Sequence, residues 1–266
     1  MMRQMHFVAT DVLEILQRHQ LDSFDALWQV EAEWVDEPNR SRGGHSSVSR
    51  LTLEDGQGGT QVFYLKRQSN YLIHHMRRPL GEPTAAREFY NIQRFERLGI
   101  PALEAACYAE RRQAGERQAI LLTRDLAGYQ PLNQWFARWS ELSYRQQDAL
   151  VIASADLVAR MHARSIVHNC LYPKHIFIKS TADGVLASLI DLEKSRAHVF
   201  SPWGRMRDLD ALNRRSDAPR RTQRLRFLLL YLDKQRVDAE VRYWITRVAR
   251  RSTRKREQRA ARQVRT

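Results

Sequence analysis

The sequence predicts an α+β fold in two lobes: an amino-terminal lobe built on an antiparallel sheet with one helix, and a mainly helical carboxy-terminal lobe. Residues 31–125 hold short stretches of alternating apolar and polar residues separated by Gly- and Asp-rich turns, a pattern typical of antiparallel strands. Beyond them the apolar residues recur at helical spacing around a single hairpin. We therefore place the lobes at 1–125 and 126–246, followed by a basic tail at 247–266. With 266 residues, 43% of them hydrophobic, the chain can bury a sizeable core.

The elements of the first lobe are predicted in chain order. Thr10 or Asp11 caps a helix that runs to about His19. The stretches "VEAEWV", "VSRLTL" and "QVFYLKRQ" alternate in polarity and are separated by turn-rich segments, so they are predicted strands. A helix is predicted over "GEPTAAREFYNIQRFERLGIP", because Pro83 suits its first turn and Gly99 its end. The stretch "AACYAERRQAGERQAILLTRD" then predicts a hairpin.

The second lobe is predicted to be helical on both sides of a loop and a hairpin. The stretches "PLNQWFARW" and "SYRQQDALVIASADLVARMHARS" predict two helices. The loop "VHNCLYPKH" leads into the strands "IFIK" and "VLASLIDLE", which a turn at Asp183-Gly184 joins. The stretches "RMRDLDALNRRS" and "RTQRLRFLLLYLD" and the basic end are again predicted to be helical.

The net charge of +14 is concentrated at the carboxy-terminal end. Residues 214–266 hold 18 Lys/Arg against 5 Asp/Glu, whereas residues 1–213 hold 26 against 25. Such asymmetry predicts an anionic partner for the tail. The sequence lacks the apolar run of about 18–20 residues that spans a bilayer, and its first 20 residues lack a signal-peptide pattern. Two cysteines, Cys107 and Cys170, indicate a reducing compartment, so we expect a cytoplasmic location.

Four residues of the first lobe are candidates for a phosphate site. Gly43 and Gly44 lie between two predicted strands, where backbone amides can approach phosphates, although an ordinary hairpin turn would look the same. Lys66 shares a strand face with Tyr64, and that face is otherwise predicted to point inward. A lysine there needs an anionic partner, unless the strand is an edge strand whose lysine faces water. Glu88 lies beside the apolar stripe of the following helix, where a carboxylate is costly unless paired. A pair of Lys66 with Glu88 would hold the lysine toward nucleotide phosphates.

The hairpin of the second lobe carries a candidate metal site. Asp191 follows an apolar strand, a placement that suits a Mg²⁺ ligand at phosphate oxygens. His175 lies on the other arm of the hairpin, so the two side chains could meet across it. The alternatives are a strand-capping aspartate and a core histidine.

Two other chemistries use the same loop. His162, His168, Cys170 and His175 could form a metal cluster, but they lack the compact spacing of a zinc site. Cys170 and His168 could form a thiol nucleophile with its base, although no oxyanion-hole sequence accompanies them. The sequence favours neither over the phosphate chemistry.

Over roughly residues 40–215 the chain resembles the lipopolysaccharide kinase family, in its InaA-type branch beside the heptose kinases. The resemblance lies in "HNCLYPKHIFI", "LIDLEK", "REFYNIQRFERLGIP" and "WGRMRDLDAL". It implies a bilobal, protein-kinase-like fold that uses ATP and Mg²⁺. It also implies the following roles: Gly43 and Gly44 in the nucleotide loop, Lys66 as the phosphate-binding lysine with Glu88 as its partner, residues 122–126 as the hinge against adenine, and His175 and Asp191 as metal ligands.

Cys170 departs from this family pattern, because the family carries its catalytic aspartate there, two residues after His168. General-base assistance is typically worth about 10²–10⁴ in rate. The sequence therefore leaves two functions open: a weakened phosphotransferase acting on a sugar hydroxyl of the lipopolysaccharide core, or a catalytically silent, nucleotide-responsive interaction or stress protein. Asp208 and Asp210 could supply the missing carboxylate or pack the loop.

The resemblance also suggests a partner for the tail. The implied substrate is made at the inner membrane, so we expect residues 247–266 to contact its anionic surface, unless the segment is a solvated helix. Nucleic acid is disfavoured because no aromatic residue suited to base stacking follows Trp244. Since few apolar residues lie in the tail, we expect its deletion to leave the rest folded.

Overall fold

The computed structural model describes residues 5–35, 37–40, 43–75, 78–198 and 203–263. The chain divides into two compact units, Met1–Ala127 and Gly128–Thr266. The first unit is built on strands and the second is mainly helical, so the predicted α+β class is confirmed.

Unit 1 contains an antiparallel sheet whose described strands follow the order β1-β7-β8-β4-β3-β2. A separate ribbon, β5 with β6, leads into the third helix. The strands are β1 Phe7–Val8, β2 Glu33–Trp34, β3 His45–Glu54, β4 Thr60–Ser69, β5 Leu72–His75, β6 Arg78–Pro83, β7 Ala105–Gln113 and β8 Glu116–Arg124, and the helices are α1 Thr10–Arg18, α2 Phe24–Gln29 and α3 Thr84–Arg97.

The core of unit 1 lies between the sheet and the first two helices. Leu16 of α1 and Phe24 of α2 are buried against Phe63 and Leu65 of β4. Because side chains alternate along a strand, β4 presents its other face to α3, which packs on β7 and β8. Helix α2 is an addition to the predicted elements, and Arg67 Nε donates to the carbonyl of Leu27 near its end (2.9 Å).

Unit 2 places a small sheet among helices. Its strands are β9 Gln130–Pro131, β10 Ile166–Val167, β11 Ile176–Thr181, β12 Gly184–Leu189 and β13 Arg196–Ala197, and its helices are α4 Leu132–Ala137, α5 Tyr144–Ala163, α6 Trp203–Asn213, α7 Arg221–Tyr231 and α8 Ala239–Gln263. Strand β11 lies between β12 and β9, and β10 pairs with β13. The hairpin of β11 and β12 turns at the predicted Asp183-Gly184.

Residues 247–263 of the basic tail belong to helix α8, and the first turns of this segment pack into unit 2. Asp210 of α6 is buried, and its carboxylate accepts a hydrogen bond from Ser252 Oγ (2.7 Å). The same carboxylate forms ion pairs with Arg214 (3.0 Å) and Arg251 (3.2 Å). The expectation that little of residues 247–266 packs into the core is therefore wrong at Arg251 and Ser252. The last three residues, 264–266, lie outside the described ranges.

Within the described ranges, none of the helices combines the length and the apolar character that crossing a membrane requires.

Candidate functional site

The predicted pairing of Lys66 with Glu88 is observed in unit 1. Lys66 lies in β4, opposite Val48 of β3 and Leu121 of β8. Its Nζ donates a hydrogen bond to Glu88 Oε2 from α3. The Glu88 side chain is 5% exposed and that of Lys66 is 21% exposed. The carboxylate is thus buried with a charged partner, while the ammonium group keeps access to solvent.

Gln68 sets the position of α3 relative to this pair, a role that the sequence did not reveal. Its amide nitrogen donates to Thr84 Oγ1 (2.7 Å), and its amide oxygen accepts from the backbone N–H of Ala85 (2.8 Å). Two residues along a strand span about 6.6 Å, and four residues along a helix span about 6 Å. The distance along β4 from Gln68 to Lys66 therefore matches the distance along α3 from Thr84 to Glu88. The hydrogen bonds from Gln68 to the first turn of α3 thus also bring Glu88 alongside Lys66.

The two candidate glycines of unit 1 form the turn that leads into β3. Gly43 has a positive φ of 75°, which favours glycine. A Cβ at Gly44 would lie 2.2 Å from the carbonyl oxygen of Ser69, at the end of β4. The close approach of residue 44 to β4 is thus sufficient by itself to require glycine at this position. Residues 41 and 42, which precede Gly43 in the sequence, lie outside the described ranges.

In unit 2, His175 and Asp191 meet across the hairpin as expected. The backbone N–H of Ile190 donates to the carbonyl of His175 (3.1 Å), and His175 Nε2 lies 3.3 Å from Asp191 Oδ2. Asp191 adopts the left-handed conformation (φ 58°, ψ 56°), which turns the chain sharply after β12. Its side chain is 35% exposed, whereas that of His175 is 9% exposed.

The protonation of His175 determines what this pair can bind. Its Nδ1 donates to the carbonyl of Cys170 (2.8 Å), and a carbonyl can only accept, so Nδ1 carries the proton. Burial lowers the pKa of His175, although the Asp191 carboxylate opposes that shift. In the neutral ring Nε2 is an electron-pair donor facing a carboxylate oxygen, and a divalent cation fits such a donor pair.

A larger metal cluster is not observed. Within the described part of the chain, no group of three or more His, Cys, Asp or Glu side chains is arranged to hold a metal. His162, one of the proposed cluster residues, instead pairs through Nε2 with Asp208 (3.2 Å), and the hydroxyl of Tyr231 lies 2.9 Å from its Nδ1. Burial lowers the pKa of His162, against the opposing effect of Asp208.

Asp208 fixes the backbone of the loop. Its carboxylate is fully buried and accepts from the backbone N–H groups of His168 (2.6 Å) and Asn169 (2.8 Å). Asn169 has a positive φ of 64°, and its Nδ2 donates to the carbonyl of Lys194 (2.9 Å). These contacts use both oxygens of Asp208, which favours the loop-packing role over that of a replacement base.

The contacts of Cys170 do not include the predicted histidine base. His168 Nε2 donates to the carbonyl of Ile190 (2.9 Å), and its buried Nδ1 has no hydrogen-bond partner among the described residues. The buried thiol of Cys170 is instead among the groups that act on the pKa of Lys194. Burial disfavours the charge of Lys194, but Cys170, Glu193 and Asp191 outweigh burial and raise its pKa. The thiol nucleophile with a His168 base is therefore not assembled.

A row of rings extends from the pair of His175 and Asp191. The rings of His168 and His175 stack at 5.8 Å, and the ring of Tyr172 lies 5.3 Å from that of His175. The guanidinium of Arg215 lies 3.9 Å above the Tyr172 ring, so a cation flanks the loop. Lys194 and Arg215 were both missed from sequence, although Lys194 follows Asp191 closely in "LIDLEK".

The sequence of this chain is similar to those of known proteins. The model of the "Lipopolysaccharide kinase (Kdo/WaaP) family" matches residues 25–244. Protein InaA of Escherichia coli is 33% identical over 180 residues, which cover 67% of this chain and 81% of that protein. The lipopolysaccharide core heptose(I) kinase WaaP of Pseudomonas aeruginosa is 30% identical over 158 residues, which cover 55% of this chain and 59% of that protein.

The fold is also shared with a solved structure. The structure described as WaaP in complex with acyl carrier protein matches with a TM-score of 0.66 and 22% identity, over 94% of this chain and 98% of that chain. The family match spans both units, including the residues of the pairs Lys66–Glu88 and His175–Asp191. The resemblance expected from the motifs is thereby confirmed, and the chain belongs to the lipopolysaccharide kinase (Kdo/WaaP) family.

Proposed function

We propose that the protein transfers the γ-phosphoryl group of ATP, with Mg²⁺, to a sugar hydroxyl of the lipopolysaccharide core. The observation that carries this proposal is the coexistence of the pair Lys66–Glu88 in unit 1 and the pair His175–Asp191 in unit 2. A kinase needs a lysine that a glutamate holds for the nucleotide phosphates, and a metal-binding pair after the catalytic loop. When bound, the cation would neutralise charge on phosphate oxygens.

The residues of the chain divide the remaining work. Glu88 holds the ammonium group of Lys66 ready for a phosphate oxygen, and Asp208 holds the loop that carries residue 170. In the transfer, the bond from the γ-phosphorus to the leaving ADP oxygen breaks, the bond to the acceptor oxygen forms, and the acceptor hydroxyl loses its proton. Cys170 has no carboxylate to orient that hydroxyl or to accept the proton, so the proton leaves to solvent or to a phosphate oxygen. Because positioning and electrostatics provide most of the catalysis in phosphoryl transfer, the reaction is slowed rather than abolished.

Nucleotide binding is the first test. Thermal-shift and calorimetric titrations with ATP and Mg²⁺ should show binding by the wild-type protein, and Lys66→Met or Asp191→Asn should weaken it. Matched controls are Arg112→Met at the end of β7 and Asp183→Asn in the turn of the hairpin, both of which are exposed. If the wild-type protein shows no binding of the nucleotide at millimolar concentration, the assignment of both pairs to an ATP and Mg²⁺ site is wrong.

Cys170→Asp tests the catalytic step. If the chain is a kinase that lacks its base, the substitution should raise phosphate transfer to lipopolysaccharide core acceptors by about 10²–10⁴. Transfer from radiolabelled ATP measures it, with Cys107→Ser as a control because Cys107 is buried in the core of unit 1. A protein that binds ATP but transfers no phosphate in either form would instead be the catalytically silent, nucleotide-responsive partner.

A cavity in unit 2 supports a second, binding function. It has a volume of about 610 Å³, within the range of ligand pockets, and apolar side chains such as Phe136, Leu150, Leu212 and Leu228 line it. Since the WaaP of the matching structure is in complex with acyl carrier protein, we infer that the occupant is the acyl chain of such a carrier. Ser154→Trp, inside the cavity, should abolish binding of acylated carrier, whereas Ile152→Trp on the exposed face of α5 should not. Equal binding of acylated and unacylated carrier would refute an acyl site.

The basic end of the chain supports a peripheral location at the anionic cytoplasmic face of the inner membrane. Residues 254–266 hold six Lys/Arg and one Glu, and each basic residue close to an anionic lipid surface contributes about 1 kcal/mol. Sedimentation with anionic vesicles at low and high salt tests this contact, since the Debye length falls from about 10 Å at 0.1 M to about 3 Å at 1 M. Stronger retention on DNA than on vesicles would favour nucleic acid instead.

A further inference from the structure

The nitrogen atom that faces Asp191 distinguishes this candidate metal site from a site made of oxygen ligands alone. The hydrogen bond to the carbonyl of Cys170 places the proton of His175 on Nδ1. Nε2 therefore offers its lone pair 3.3 Å from Asp191 Oδ2. One nitrogen donor and one oxygen donor thus lie close enough together to bind a single cation.

The surroundings hold the imidazole in this orientation. Histidines that bind metals usually donate their other N–H to a carbonyl or carboxylate, which fixes the tautomer and the direction of the ring. The backbone of His175 is held as well, because its N–H donates to the carbonyl of Tyr172 (2.9 Å) and its carbonyl accepts from Ile190. The more exposed Asp191 leaves room for water and phosphate oxygens to complete the coordination.

Donor type decides which cation such a site prefers. Mg²⁺ takes oxygen ligands, and protein kinases supply them from an aspartate and an asparagine. Imidazole nitrogen suits first-row transition ions, whose affinity for such sites rises from Mn²⁺ to Co²⁺. We propose that His175 raises the affinity of this site for first-row transition cations relative to Mg²⁺, so that these cations compete with the Mg²⁺ of the proposed reaction. The inference rests on the metal-dependent nucleotide binding proposed above and concerns the selectivity of its cation site.

A comparison with His175→Asn isolates the donor atom. Mg²⁺, Mn²⁺ and Co²⁺ are titrated by calorimetry in the presence of a non-hydrolysable ATP analogue, with wild-type protein and with the variant. The nucleotide phosphates contribute alike in both, so a change in the ratio of affinities reports on residue 175. The preference of the wild-type protein for Mn²⁺ and Co²⁺ over Mg²⁺ should exceed that of the variant by about tenfold or more. The reason is that imidazole nitrogen is a softer ligand than the amide oxygen of asparagine. Equal ratios in the two proteins would overturn the inference.

Pulsed electron paramagnetic resonance of bound Mn²⁺ gives a readout that needs no variant. A coordinated imidazole couples its ¹⁴N nucleus to the metal, and protein labelled with ¹⁵N-histidine should show the corresponding change in coupling. If Mn²⁺ and the analogue bind without any nitrogen coupling, His175 is no ligand and the inference fails, while the proposed function stands. If the analogue binds with none of the three cations, the proposed function fails as well.

Discussion

Two truncations of α8 should differ sharply in stability. Deletion of residues 247–266 removes both partners that α8 provides for the Asp210 carboxylate, together with Val248 and Ala249 of the cavity lining. Deletion of residues 254–266 leaves all of these contacts in place. The first truncation should therefore destabilise unit 2, whereas the second should be nearly neutral.

The contacts of Asp210 set the magnitude. Its side chain is 1% exposed, so the carboxylate depends on protein partners. The hydrogen bond from Ser252 Oγ is 2.7 Å long, and a hydrogen bond to a charged group contributes about 1.5–3 kcal/mol. Removing one partner of a buried ion pair costs about 3–5 kcal/mol. Because Arg214 remains as a partner, we expect a loss of about 3 kcal/mol, a large part of the roughly 5–15 kcal/mol that stabilises a domain.

Urea denaturation followed by tryptophan fluorescence and by circular dichroism measures the difference. Ser252→Ala in the full-length chain serves as a point control, and it should account for about 1.5–3 kcal/mol of the loss. Equal midpoints for the two truncations would refute the reasoning, since they would show that α8 does not stabilise Asp210.

The remaining predictions concern three buried polar side chains, Asp208, Gln68 and His162. Asp208→Ala leaves the amides of His168 and Asn169 unsatisfied, so it should cost about 2–4 kcal/mol and accelerate hydrogen exchange at both; unchanged protection would contradict this. Gln68→Ala should accelerate exchange at the first turn of α3 without unfolding the sheet, and equal rates would disprove the capping role. Burial holds the pKa of His162 low, so the unfolded chain binds a proton first as the pH falls, and stability should decrease below about pH 6.5. Urea midpoints at pH 7.5 and 5.5 test this, and His162→Gln should reduce the difference.

Local signals in the sequence sufficed for the longer elements. Helix α3 lies between Pro83 and Gly99, and its predicted span differs from Thr84–Arg97 only at the ends. The hairpin of β11 and β12 follows from alternation around Asp183-Gly184. Helix α2 has six residues, which is too short for an apolar period to emerge. The ribbon of β5 and β6 was missed as well, because Gly81 and Pro83 lie within β6 and obscure a strand pattern.

Side chains that act through tertiary contacts could not be assigned from sequence. Asp208 and Asp210 look alike in "RDLDAL", yet residues two apart on a helix are separated by about 200°. Asp208 therefore faces the loop, whereas Asp210 faces α8. Gln68 is similar, because its partners Thr84 and Ala85 come from an element whose distance from β4 no local pattern encodes. The pairs Lys66–Glu88 and His175–Asp191 were predictable because strand alternation, the apolar stripe of α3 and the hairpin placed these residues, and the resemblance to a known family supported the pairing.

The supports of the loop explain why a substitution at position 170 can alter the chemistry and leave the framework intact. The loop backbone is held by the carboxylate of Asp208 at its amides and by the carbonyl of Lys194 at the side chain of Asn169. Cys170 contributes its carbonyl oxygen to His175, a contact that any residue at that position could make. Under the proposed function, the identity of side chain 170 would therefore determine whether a carboxylate meets the acceptor hydroxyl, while the positions of the loop and of the His175–Asp191 pair are fixed by other residues. An aspartate placed there would enter a loop that is already held in position, and for this reason a single substitution suffices to separate a weakened kinase from a silent one.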